Sequence, residues 1–251
     1  MGTSTSHRSP ATQEWDLVRE LYQRPHPAPG EVVGRIVAAL DEVSRARLHD
    51  AATVRCLDAV LHASASLAEP GAVLPPAPAS SGLPALDLAV SVRAAALESI
   101  AADRVASVTG ALALDAIPPT VLDSLSPTSD WNDFPAATVL ARYSRYAREG
   151  DLSALAGQYC GHGLDQAFRY FVTRDASDFV GQAGLPTVQE AGRLVVGVGD
   201  LVRRGGSAPA LRRHEQDLQE IMALSRDQRV RELTPLVREG VEASLAALAG
   251  G

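Results

Sequence analysis

No lysine occurs anywhere in the 251 residues, so every permanently cationic side chain is one of 23 arginines. That absence excludes whole enzyme classes. A P-loop needs its lysine on the phosphates, a pyridoxal enzyme needs a Schiff-base amine, and a protein kinase needs its strand lysine. Arginine cannot substitute, because its guanidinium stays protonated and does not act as a base near neutral pH. A GC-rich genome that writes arginine for lysine accounts for the bias without a selected function.

Cysteine is scarce too. Cys56 and Cys160 are too few for a disulfide scaffold, and no CxxC or Cys/His ligand spacing accompanies them, so a reducing cytoplasm is the expected location. Long apolar runs are missing: the N-terminus has no apolar core behind a basic region. The uncharged run from Pro70 to Leu86 is too rich in proline to span a bilayer as a helix. No membrane contact is expected. A formal net charge of −7 argues against a general nucleic-acid binder, since phosphate binding depends on concentrated positive charge. The charge is uneven: residues 1–130 carry 9 arginines against 15 acids, and residues 131–251 carry 14 against 15. An anionic partner is therefore expected at the second half.

Several site signatures are also lacking. There is no HExxH or ExxH pair, no GxSxG elbow, and GVGDLV at 197–202 has no third glycine for a dinucleotide loop. His49 and Asp50 spell the dyad of HD phosphohydrolases, whose metal site needs a further upstream histidine, but His26 lies in a proline loop and is a poor ligand. No catalytic residue, metal ligand or cofactor is assigned.

What is present is concentrated. Nine of the eleven aromatic residues fall between Trp131 and Phe179, around the string YCGHG at 159–163. Cys160 and His162 stand two apart in what reads as a glycine-bracketed turn, where an imidazole can lower a thiol pKa. Residues i and i+2 seldom face each other on a helix, and buried cysteine is ordinarily a small hydrophobe, so a structural turn is the preferred reading. If this segment forms a pocket, Tyr143, Tyr159, Cys160, His162 and Tyr170 are its expected lining. Arg142, Arg145 and Arg148 recur every three residues beside Tyr143 and Tyr146, a pattern that can present guanidinium groups with aromatic faces to an anion or an acidic partner. Arg203, Arg204, Arg212 and Arg213 form a second such cluster across a Gly-Gly loop. The plainer alternative for both is a solvated helix face.

Periodicity predicts an all-α chain, an irregular bundle of about nine or ten helices behind a disordered tail at 1–13. A short helix is expected over 14–23, anchored by Trp15, Val18, Leu21 and Tyr22. Two further helices, from Glu31 and from about Asp50, can form an antiparallel hairpin and complete an N-terminal subdomain at 14–68. Residues 69–84 hold five prolines and two glycines and read as a linker to a main domain at 85–251. There, helices are expected over about 85–114, either unbroken or interrupted near Gly110 and stopped by Pro118 and Pro119, and over 135–148, 151–160, 164–173, 187–204, 209–224 and 226–248.

The first residues, MGTSTS, formally fit a myristoylation pattern, which the bacterial-looking composition disfavours. The same string, with Pro10 and Trp15 following, resembles the start of the QatB-like proteins of bacterial Qat anti-phage systems. The resemblance covers at most 15 residues. It implies a defence-system accessory protein encoded beside an ATPase, a QueC-like enzyme and a TatD-like nuclease, with Gly2 as the residue that the QueC-like partner modifies. The expected function is thus that of a non-catalytic accessory component, which presents its N-terminal glycine to a modifying enzyme and docks other proteins of its operon through arginine-bearing helices. The alternative is a helical enzyme or small-ligand binder with its pocket in the aromatic segment 131–179.

Overall fold

A computed structural model describes residues 12–78, 80–126, 130–205 and 209–250. Among them are eleven α-helices and three 3₁₀ turns, with no strand beyond an isolated bridge between Val180 and Leu185. The helices are α1 (Gln13–Gln23), α2 (Pro29–Ala39), α3 (Glu42–Leu48), α4 (Ala51–Leu67), α5 (Pro84–Asp103), α6 (Val108–Leu125), α7 (Ala136–Arg148), α8 (Leu152–Ala176), α9 (Val188–Gly205), α10 (Glu215–Met222) and α11 (Arg226–Ala249). The all-α expectation holds. No described helix is long and apolar enough to cross a membrane. Residues 1–11, which include Gly2 and most of the expected tail, lie outside the described residues.

At the centre is α8, which packs against α4, α6, α7, α9, α10 and α11. Its buried positions run from Leu152 through Tyr159, Leu164 and Phe168 to Ala176 and lie on more than one face, as a helix enclosed by others requires. This corrects the sequence reading of two short helices around YCGHG. Gly161 is buried inside one continuous helix, where packing on several sides offsets the roughly 1 kcal/mol that a helical glycine costs relative to alanine.

Other boundaries move for identifiable reasons. The expected 85–114 helix is two helices, because Arg104 turns left-handed at φ 56° and Ser107 recaps the chain by accepting the Gly110 amide at 2.8 Å. Pro118 and Pro119 do not stop α6; they sit within it, beside the fully buried Ile117 and Val121. Asp41 caps Ser44 at 2.7 Å and starts α3 separately from α2, which leaves Val43 60% exposed. The α2–α4 hairpin does not form: α2 packs on α1, α9 and α11, and α4 on α5, α6 and α7.

Other elements follow the sequence closely. Trp15, Val18, Leu21 and Tyr22 are all buried on α1, whose first turn is capped by Thr12. Beyond α7, Gly150 adopts φ 70° and the Asp151 amide donates to the Tyr146 carbonyl at 2.8 Å, closing a Schellman-type end. Residues 69–83 are irregular where described, Pro84 begins α5, and residues on both sides of the segment enter one hydrophobic core.

Candidate functional site

On α7 the 3.6-residue period turns Tyr143 and Tyr146 inward and leaves Arg142, Arg145 and Arg148 exposed. Each inward hydroxyl donates to a backbone carbonyl: Tyr143 Oη to Val60 on α4 at 3.0 Å and Tyr146 Oη to Ser124 on α6 at 3.2 Å. Burial raises the Tyr143 phenol far above its ordinary range. Two of the arginines cap other helices. Arg142 Nη1 donates to the Leu125 carbonyl at the end of α6 at 2.8 Å and lies 4.3 Å over the Phe134 ring, while Arg148 Nη2 reaches the Leu67 carbonyl at the end of α4 at 3.5 Å. These carbonyls are among the last four of a helix, which lack intrahelical donors and carry the negative end of the dipole. Arg145 sits 5.0 Å over the Tyr146 ring. The stripe therefore ties two helix ends to α7, although all three residues are exposed overall.

The residues expected to line one pocket are dispersed. Tyr143 is fully enclosed against α4. Tyr159 Oη donates to the Thr53 carbonyl at 3.3 Å, and Tyr159 and Cys160 border a crevice of about 20 Å³, room for about one water. Burial pushes the Cys160 thiol up to about 12 and the Cys56 thiol likewise, so neither is a thiolate at neutral pH. His162 does not face Cys160's crevice as a partner for it. Its Nε2 lies 3.1 Å from Asp123 Oδ2 on α6, and that hydrogen bond holds the Asp123 carboxyl below its usual range, aided by Arg203.

Tyr170 alone reaches a roomy cleft, of about 440 Å³, between α3, the start of α6 and the end of α8. Phe171, Arg174, Arg47 and Val108 share its wall. Asp50 stands on its floor, but not as a metal ligand: Oδ1 caps α4 by accepting the Thr53 amide at 2.9 Å, and Oδ2 accepts the Ser107 and Thr109 hydroxyls. The HD string is a helix cap.

The second arginine cluster is divided. Arg203 lies 3.5 Å from both Asp123 and Asp200, which joins α9 to α6 and, through Asp123, to His162 on α8. Arg213 pairs with Glu239 on α11. Arg204 closes α9 near Arg203, and the Arg212 side chain lies outside the described residues. Gly199 of GVGDLV serves packing instead of a nucleotide: a Cβ there would collide with the ion-paired Arg169 and Asp165 of α8.

Two anchors were not legible in the sequence. Asp175, buried at the end of α8, accepts the Trp15 indole N–H, and Trp15 meets Phe171 edge-on with ring centroids 5.7 Å apart. Glu215 on α10 accepts the amides of Leu152 and Ser153 at 2.9 and 2.6 Å, capping α8 from another helix. Both depend on pairs 62 to 160 residues apart, which local periodicity cannot reveal. Compared with known protein families, with curated proteins and with solved structures, the chain has no match.

Proposed function

We propose that this chain is a non-catalytic, cytoplasmic accessory component of a bacterial anti-phage system, QatB-like in its N-terminal string. In this reading it presents Gly2 to a partner modifying enzyme of the QueC-like kind and docks proteins of the same operon through α7 and α9. The observation that carries the non-catalytic reading is Cys160: the one nucleophile beside a histidine in the aromatic segment is buried, its thiol is pushed up to about 12, and His162 is committed to Asp123. The docking reading rests on economy of donors. A guanidinium has five N–H groups, and the exposed Arg142 and Arg148 each use one on a helix end. Planar donors held in place by such caps are suited to carboxylates of an acidic partner.

Support for the presented tail comes from its root. Thr12 and Trp15 are fixed by a cap and by Asp175, so any chain before them leaves from a rigid point. No lysine offers a side-chain amine, so in this reading the group to be modified is the α-amine of Gly2 exposed by removal of Met1, with an ordinary pKa of ~8. The experiment is intact-mass spectrometry of the chain co-expressed with its genomic neighbours. An adduct or covalent partner that disappears on deletion of residues 2–8 is expected. An unmodified mass together with unchanged partner binding and phenotype in the deletion sinks the reading.

A further inference from the structure

Arginines that the sequence reading did not single out gather where α4, α5 and the start of α11 meet. Arg55 and Arg226 both bind Asp103 at the end of α5, Arg226 Nη2 at 2.5 Å from the same carboxylate oxygen that Arg55 contacts. Arg226 Nη2 also donates to the Ser99 carbonyl at 3.3 Å. One carboxylate cannot satisfy two forks. Arg55 Nη1 and Arg226 Nε are buried, as is the Ser99 hydroxyl, and none of the three has a hydrogen-bond partner among the described residues. Unpaired buried donors of this kind are costly, more so on charged groups.

Arg55 also forms part of a surface depression of about 410 Å³, whose other walls are Val230, Arg231 and Asp227 of α11. Arg231 is exposed and pairs with no carboxylate among the described residues. Two guanidinium groups, those of Arg55 and Arg231, thus border the depression beside the single carboxylate of Asp227, while Arg226 shares Asp103 with Arg55 behind it.

We propose that this depression is an oxyanion site, in which Arg55 and Arg231, backed by Arg226, bind a phosphate group. Phosphate fits better than a lone carboxylate because its additional oxygens and second charge can engage forks from two helices at once. The shared chemistry is the phosphate dianion, free or carried on a small phosphomonoester.

The test is calorimetric titration of the full chain with inorganic phosphate at constant ionic strength, repeated with ribose 5-phosphate. A saturable response is expected, weakened about tenfold or more in Arg231→Gln, the loss of one charge-assisted contact. Arg231 is exposed, so this variant keeps the fold, which circular dichroism checks. Asp227→Asn, which removes the acid on the rim, should tighten binding. Tighter binding of the ester than of free phosphate identifies a phosphomonoester as the ligand, and the reverse identifies the free ion. No saturable response to either, or equal affinity in Arg231→Gln and wild type, overturns the proposal.

Discussion

His162 Nε2 and Asp123 Oδ2 lie 3.1 Å apart, linking the middle of α8 to α6, with Arg203 of α9 on the same carboxylate oxygen. Three helices are joined through one acid. Because the hydrogen bond from His162 lowers the Asp123 pKa, the sign of its pH linkage follows. A carboxylate depressed in the folded state stabilises fully above its ordinary range near pH ~4, and that contribution fades as pH falls through the folded value. Asp123→Asn should therefore be less stable than wild type at pH 6, with the difference shrinking towards pH 3. Urea melts across that range measure it; a difference that grows on acidification refutes the assignment.

Both cysteines should be inert in the folded chain. With each thiol buried and pushed up to about 12, a thiol reagent such as dithionitrobenzoate should react with neither at neutral pH and with both after denaturation. Cys160→Ser should retain the fold and whatever partner binding the wild type shows. Rapid labelling of native Cys160 would reinstate it as a nucleophile.

Phe168 is fully buried on α8, whereas Phe171 is partly exposed between Trp15 and the cleft. Phe168→Ala should cost ~3–5 kcal/mol in denaturant melts, and Phe171→Ala less. Equal losses would show that the aromatic segment does not pack as described.

Arg229 on α11 grips Asp58 on α4 with both ends of its fork, Nε to Oδ1 at 2.6 Å and Nη2 to Oδ2 at 3.3 Å, with both side chains almost wholly buried. Replacing Arg229 alone by Met strands a buried carboxylate and should cost ~3–5 kcal/mol, while Asp58→Leu combined with Arg229→Met should recover much of it. Additive losses in the double variant would mean that the two residues act independently.

Arg142→Ala should destabilise by about 1 kcal/mol through loss of the Leu125 cap and the Phe134 contact. If the arginine also docks a partner, affinity falls by more than this small loss of folded protein can explain. Thermal melts alongside pull-down with operon proteins separate the two effects.

Local chemistry determined much of this chain by itself. The spacing of Trp15, Val18, Leu21 and Tyr22 marked the buried face of α1, steps of three and four through Val230, Leu233, Val237, Val241 and Leu245 marked that of α11, of which Val230 is only partly buried, and Gly150 ended α7. Such signals rest on helical period and on backbone conformations available within a few residues. Other outcomes were decided only in three dimensions. Gly161 and the two prolines of α6 read as breaks, yet burial against neighbouring helices outweighs their local cost. Arg142 and Arg148 read as a free cationic stripe, but helix ends brought close by the fold take up part of their donors. Whether an arginine meets a carbonyl, an acid or open solvent depends on chain segments tens of residues away, and no local pattern encodes that encounter.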